Sequence, residues 1–284
     1  MRERVFLVAL HRSIGREFKW PAATHYCALP SGYEGSRQVA LRVVRDNPPA
    51  APHFRQLQDP GTHLPSAITA REAIQDLPAI FHHLNGLSKR GARRLDTQIP
   101  YPDDVAPSPY AQSMRTWRGY ESETGVVDHV IRHLPRDYRL FQIMAEGDQY
   151  PELYVKATAY FVEVAKRAGF REGTTAYRQL QQAVVPPYDP AKFPNKWRKM
   201  EADRPARTLM AHLGKDGYSH IHYDSAQGRT ISVREAARLQ SFPDGFLFSG
   251  TMNPAFRQIG NAVPPLLAAS VARSLMEALI GGDA

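Results

Sequence analysis

Residues 229–244 read RTISVREAARLQSFPD, and residues 257–265 read RQIGNAVPP. The first stretch predicts a short helix, because Ser232 is followed three residues later by Glu235. A hydroxyl at the helix N-terminus and a glutamate at this spacing each accept a backbone N–H that the first turn leaves free. The same stretch places Pro243 where the helix has to stop. These two stretches are the most informative part of the sequence.

Two further helices have clear terminal residues. Thr69 and Glu72 repeat the capping pair and predict a helix through about Ile80. Pro151 is tolerated in a first turn, and Gly169 is a typical residue just after a helix. These signals predict an amphipathic helix over residues 151–168.

The remaining elements are predicted from composition and periodicity. Residues 2–10 are rich in β-branched and aromatic side chains and predict a strand. Apolar residues recur at helical spacing over 126–134, and residues 208–223 are predicted to be extended. A last helix is predicted to start at Pro264 or Pro265 and to run to about Ile280.

Composition limits the class of protein. The 284 residues are 43% hydrophobic, which is typical of a chain with real cores. The apolar run at residues 5–10 is too short for a signal peptide or a membrane span. The single cysteine, Cys27, excludes an internal disulfide framework and a multi-cysteine zinc site. We therefore expect a cytoplasmic protein without membrane attachment.

The charge balance favours a polyanionic partner. The formal net charge is +8 and the isoelectric point is about 9.6. Arginine dominates the basic clusters, and its planar fork suits phosphate groups and guanine edges. The densest cluster, which we predict to contact DNA, consists of Lys89, Arg90, Arg93 and Arg94.

Two histidine patterns have a spacing that metal sites can use. His220, His222 and Asp224 alternate along a predicted strand, and His129 and His133 are one helical turn apart. Neither pattern is surrounded by a complete metal-binding motif. No metal site is predicted.

A family resemblance ties the motifs together. Residues 229–244 and 257–265 resemble, in order and spacing, the ninth and tenth motifs of the DNA cytosine-C5 methyltransferases. Residues 2–9 resemble the eighth motif, and Thr208-Leu209 resembles the threonine–leucine pair of the family's target-recognition domain. The chain thus resembles the C-terminal half of that family.

The resemblance implies an α/β fold. The first strand would form the edge of a Rossmann-like methyltransferase sheet, and a mixed α/β target-recognition domain would be inserted after it. The expected boundaries are 1–83 for the partial catalytic domain, 84–224 for the recognition domain and 225–284 for the return to the catalytic domain.

The resemblance also implies roles for particular residues. Arg4 would donate to cytosine O2 during catalysis, assisted by Arg2. Thr208 and Leu209 would contact the DNA backbone near a cytosine flipped out of the helix. The ninth motif would brace the recognition domain through Arg234, Glu235, Arg238 and Gln240. The tenth would border the methionine end of S-adenosylmethionine through Asn261, Ala262 and Val263.

Three motifs on which the family's chemistry depends are absent from the sequence. It contains no Gly-rich cofactor loop, no Pro-Cys nucleophile and no Glu-Asn-Val segment, and Cys27 follows Tyr26. Met1 stands where the eighth motif has already begun, so the chain resembles the second subunit of a split enzyme. We therefore expect a heterodimer in which a partner supplies the missing motifs and shares S-adenosylmethionine, and no activity from this chain alone.

A second interpretation stays open. The chain would then be a non-catalytic, sequence-specific DNA-binding or regulatory module derived from a methyltransferase. Both interpretations place it on double-stranded DNA in the bacterial cytoplasm, at the nucleoid. A neighbouring reading frame that carries the missing motifs would favour the split enzyme.

Overall fold

The chain is mixed α/β, as predicted, and divides into two compact units. The larger is Ile68–Pro264, and the smaller combines Met1–Ala67 with Pro265–Ala284. The computed structural model describes residues 6–28, 38–39, 41–43, 45–46, 60–87, 97–215 and 217–280.

Helices dominate the described part of the larger unit. Its only named strands there, β1 (Ile99–Pro100) and β2 (Gly125–Val126), pair antiparallel with Ile99 opposite Val126. The helices are α1 (Ala70–Ile74), α2 (Pro109–Arg115), α3 (Tyr138–Ile143), α4 (Tyr150–Arg167), α5 (Thr175–Val184), α6 (Val233–Leu239) and α7 (Met252–Asn261).

The smaller unit contains the last helix, α8 (Pro265–Ile280), and a 3-10 turn at Arg12–Ile14. Tyr26 forms a parallel bridge with Ser66. Phe6–Leu10, the described end of the predicted first strand, forms no β-bridge. A strand needs a neighbouring backbone to accept and donate its hydrogen bonds, and none of the described residues provides one here.

The predicted helix termini are confirmed where the signal is local. Thr69 with Glu72 and Ser232 with Glu235 both form complete capping boxes. α4 and α8 lie where they were predicted. α1 ends at Ile74, short of the predicted Ile80, because Pro78 has no N–H to donate and disfavours helical geometry in the residue before it.

Two predicted elements are wrong. Residues 126–134 form no helix, because Asp128 has a left-handed backbone with φ of 65°. Residues 208–223 are not one extended segment: they contain a 3-10 turn at Ala211–Gly214, and Ile221 forms isolated bridges to Lys199 and Thr230.

Two apolar cores fill the larger unit. The first joins α1, α6 and α7 and includes Ile74, Ala237 and Phe256. The second joins α3 and α4 around the fully buried Trp197. Every residue of the second core lies within 84–224, the predicted recognition domain.

One helical stretch in the described part of the chain, Met252–Ile280, is long and apolar enough to cross a membrane by length and composition. Residues 262–264 interrupt it and divide it into α7 and α8. Ala255, Phe256 and Ile259 of α7 pack in the first core. A single stretch of this kind is weak support for a membrane span.

Candidate functional site

A buried ion pair holds the start of α6. The guanidinium of Arg229 donates two hydrogen bonds to the carboxylate of Glu235, at 2.6 and 2.7 Å, and both side chains are 1% exposed. Burial alone would raise the pKa of Glu235, but Arg229 lowers it well below its usual range. Glu235 also accepts the backbone N–H of Ser232 at 2.7 Å. One carboxylate therefore caps the helix and neutralises a buried cation.

A second buried cluster surrounds Arg238, which is completely buried. Its guanidinium donates to the carboxylates of Asp76 and Asp244. Arg115 adds a second cation to Asp76, at 2.6 Å, and the Tyr101 hydroxyl donates to Asp244. Burial would lower the pKa of Arg238, but the two carboxylates raise it above its ordinary value.

Arg234, on the same helix, binds one carboxylate and three backbone carbonyls. It donates to Asp128 at 3.0 Å and to the carbonyl oxygens of Val127, Pro243 and Phe246. Burial raises the pKa of Asp128 to about 6, against the opposing effect of Arg234. Arg234 thus connects the loop at residues 127–128 with the segment at residues 243–246, which follows α6.

The histidines weighed as metal ligands are bonded within the protein. His129 lies between Ser232 and the Pro78 carbonyl, and His220 reaches the Arg207 carbonyl. His222 Nε2 lies 3.6 Å from Glu235. Burial lowers the pKa of each of these three histidines to about 3 or 4. In the part of the chain that the structure describes, no group of three such side chains could hold a metal ion.

The ninth motif contacts the tenth directly. The Gln240 side-chain amide donates to the carbonyl of Ala262 at 3.0 Å. Asn261 is the last residue of α7 and is exposed, and Val263 is 37% exposed. These residues therefore lie at the end of a helix that was not predicted, where Asn261 and Val263 are exposed to solvent.

Gly260 lies within α7 and allows a close backbone approach. A β-carbon there would lie 2.4 Å from the carbonyl carbon of Met210 and 2.5 Å from the nitrogen of Ala211. Across the same interface, a β-carbon on Gly214 would lie 2.9 Å from the carbonyl oxygen of Asn253. Two glycines thus interlock α7 with the chain that follows Thr208.

The threonine–leucine pair is divided between surface and interior. Leu209 is 2% exposed and packs in the first core, whereas Thr208 is half-buried. The predicted DNA contact of this pair therefore depends on Thr208. The other predicted contacts lie outside the described residues: Arg2, Arg4, Lys89, Arg90, Arg93 and Arg94.

Several residues of the buried clusters were not predicted. Arg229 and Asp244 stand at the two ends of the quoted ninth-motif stretch, and Asp76 lies 162 positions before Arg238. A buried arginine needs an acidic partner. The charged residues Arg229 and Asp244, at the two ends of the stretch, could therefore have indicated buried ion pairs. Asp76 had no local signal. The described clusters have charges paired internally, which suits bracing rather than contact with substrate.

Comparison with known proteins identifies the family of the chain and several relatives. Residues 119–277 match the family described as C-5 cytosine-specific DNA methylase. A putative type II methyltransferase of Oceanobacillus iheyensis, M.OihORF3336P, is 36% identical over 99% of this chain and 59% of its own length. The type II methyltransferase M.AgeI of Thalassovita gelatinovora is 31% identical over 88% of this chain and 58% of its own length.

A short segment is more similar still to a plant protein. DNA (cytosine-5)-methyltransferase 2 of Arabidopsis thaliana is 60% identical over 67 residues, which are 24% of this chain and 4% of that protein. The matched part of the chain corresponds to less than two thirds of the length of each of the two bacterial relatives. Since the family match extends over more than half of its residues, this chain belongs to the C-5 cytosine-specific DNA methylase family.

Proposed function

We propose that this chain is the DNA-recognition subunit of a two-chain DNA cytosine-C5 methyltransferase. One observation carries the proposal: a member of this family has, in these 284 residues, no Pro-Cys dipeptide. Its single cysteine, Cys27, follows a tyrosine and donates to the neighbouring carbonyl of Ala28. The nucleophile that attacks cytosine C6 is then supplied by a second polypeptide.

This chain's own residues would hold the duplex and the displaced cytosine. A base must leave the stack before its ring can be attacked, and Thr208 would contact the backbone beside it. Arg4 would donate to cytosine O2 and stabilise charge that develops on the ring. The basic residues 89–94 would contact phosphates of the duplex. The site would operate at the bacterial nucleoid.

The tenth motif fits one edge of a cofactor site. Asn261 and Val263 are exposed at the end of α7, and Gln240 fixes the backbone between them through Ala262. S-adenosylmethionine would supply the methyl group. These residues would border its methionine end, and the rest of the pocket would come from the partner.

A reconstitution experiment tests the proposal. The purified chain alone should transfer no methyl group from labelled S-adenosylmethionine to DNA. Mixing it with a chain that carries the Gly-rich loop, Pro-Cys and Glu-Asn-Val segments should restore transfer to cytosine C5. The Cys27→Ser variant should restore it equally well.

Each other outcome has a definite meaning. Transfer by the purified chain alone would overturn the proposal, as would loss of the restored activity in Cys27→Ser. A chain that binds DNA specifically but restores no transfer with any such partner would be the non-catalytic module instead.

A further inference from the structure

Two arginines, Arg198 and Arg207, lie on neighbouring backbone segments, and Arg207 directly precedes Thr208. Arg198 exchanges backbone hydrogen bonds with Tyr218 and Ile221, at 2.8 and 3.0 Å. His220, between those two residues, is fully buried, and its Nε2 contacts the carbonyl oxygen of Arg207 at 3.1 Å. The histidine ring thus fixes the backbone of Arg207 beside the segment that carries Arg198.

Neither arginine has a carboxylate partner among the described residues; Arg198 is half-buried and the side chain of Arg207 is exposed. Burial lowers the pKa of Arg207, and the nearby Arg198 lowers it further. Both arginines, together with His212, also help to keep His220 neutral. The charges that act on Arg207 and on His220 here are positive.

Four other buried or half-buried arginines of the larger unit differ in this respect. Each of the four forms an ion pair with an aspartate or glutamate: Arg115, Arg229, Arg234 and Arg238. Two neighbouring guanidinium groups without an anion repel each other, and solvent at the exposed Arg207 reduces this cost without abolishing it. A bound anion would remove that cost.

We propose that Arg198 and Arg207 form a binding site for one phosphate group of the DNA strand that passes Thr208. This site rests on the proposed DNA-recognition function. A phosphate carries the negative charge that the pair lacks, and it matches the geometry of guanidinium groups. The edge of a guanine is neutral and would leave the repulsion in place. The contact is therefore independent of base sequence and fixes the position of the strand.

The test uses the whole chain and measures its affinity for duplex DNA by fluorescence anisotropy between about 50 and 200 mM salt. The double variant Arg198→Gln/Arg207→Gln should reduce the slope of log affinity against log salt by about 1, the effect of one lost phosphate contact. It should do so equally for unrelated sequences. The matched control, Arg171→Gln/Arg178→Gln, removes the same charge from exposed residues at α5 and should keep the original slope.

Two further readouts separate a phosphate site from a structural role. A duplex with one neutral methylphosphonate, moved along the strand, should bind the original chain more weakly at one position and the double variant equally at all positions. The double variant should also unfold at a temperature no lower than the original chain, because repulsion has been removed.

The possible failures are distinguishable. If the original chain shows no salt-dependent binding to DNA, both the proposed function and this site are wrong. If it binds but the double variant keeps the same slope, only the phosphate site is wrong. A lowered unfolding temperature with an unchanged slope would show that the two arginines serve the fold alone.

Discussion

Gly260 of α7 and Met210, the second residue after Thr208, meet backbone to backbone. A β-carbon on Gly260 would lie 2.4 Å from the Met210 carbonyl carbon, which no real side chain tolerates. The helix that ends at the tenth motif and the loop that starts at the threonine–leucine pair are therefore positioned by the same contact. A substitution at Gly260 should therefore displace both the end of the helix and the loop.

The first prediction is that Gly260→Ala destabilises the protein. Helix propensity alone would make alanine more favourable than glycine by about 1 kcal/mol. The clash with Met210 should outweigh this and lower the free energy of unfolding by about 1–3 kcal/mol, measured in urea. The matched control is Asn253→Ala, an exposed position of the same helix, which should be neutral or slightly stabilising. If the Gly260→Ala variant were as stable as the original chain, the backbone at residues 210–211 would have to move aside at little cost.

The second prediction concerns the completely buried Arg238. Replacing it by methionine keeps the apolar stem but leaves Asp244 with an uncompensated buried charge, while Asp76 keeps Arg115. The free energy of unfolding should fall by about 3–5 kcal/mol. The control is Arg71→Met, which breaks the exposed pair of Arg71 with Asp203 and should cost about 1 kcal/mol or less. A similar loss in the free energy of unfolding for Arg238→Met and Arg71→Met would show that burial does not strengthen the Arg238 ion pairs.

The third prediction is that stability falls in mild acid. Burial lowers the pKa of His129 and His220 to about 4 and that of His222 to about 3, below about 6.5 for an unfolded histidine. Below about pH 6.5 the unfolded chain therefore takes up protons that the folded chain does not. At pH 5 each histidine should reduce the free energy of unfolding by about 2 kcal/mol relative to pH 7.5.

Asp128 acts in the opposite direction. Burial raises its pKa to about 6, so the folded chain binds a proton there at a higher pH than the unfolded chain does. At pH 5 this proton increases the free energy of unfolding by about 1 kcal/mol. The net loss should appear in urea titrations at the two pH values. His222→Gln should show a smaller loss between them, whatever its stability at pH 7.5. Equal stability of the original chain at both pH values would refute this account.

The fourth prediction applies to the reconstituted enzyme and rests on the proposed function. Arg4→Ala should reduce turnover by about a hundredfold, the typical effect of losing one donor to a developing charge. Its affinity for duplex DNA should change little, because the contact forms only with the displaced base. Parallel measurements of single-turnover rate and DNA affinity separate the two. An equal loss of both would make Arg4 a phosphate contact.

Local signals in the sequence were sufficient for some elements. The capping boxes at Thr69 and Ser232 depend on side chains three residues apart, so they could be predicted without knowing the fold. Gly169 ends α4 with a φ of 69°, in the conformation that the prediction required.

Elements decided by distant contacts could not be predicted. The apolar spacing at 126–134 favoured a helix, but Asp128 turns the backbone and Arg234, 106 residues later, holds it there. α7 was missed because it contains Pro254 and Gly260, two residues that usually interrupt helices. Pro254 falls in the first turn, where no N–H is needed, and Gly260 is required by the backbone of another segment.

Asp76 precedes residues 84–224 and Asp244 follows them, yet one guanidinium, that of Arg238, holds both carboxylates. One side chain thus holds the residues before and after this range to each other, and Arg115 and Tyr101, from within the range, complete the same cluster. The entropy of closing such a loop changes by only about 0.6 kcal/mol when its length doubles. Under the proposed function, a recognition domain of different length is therefore expected to be exchangeable between members of the family only if it keeps the residues that contact this cluster.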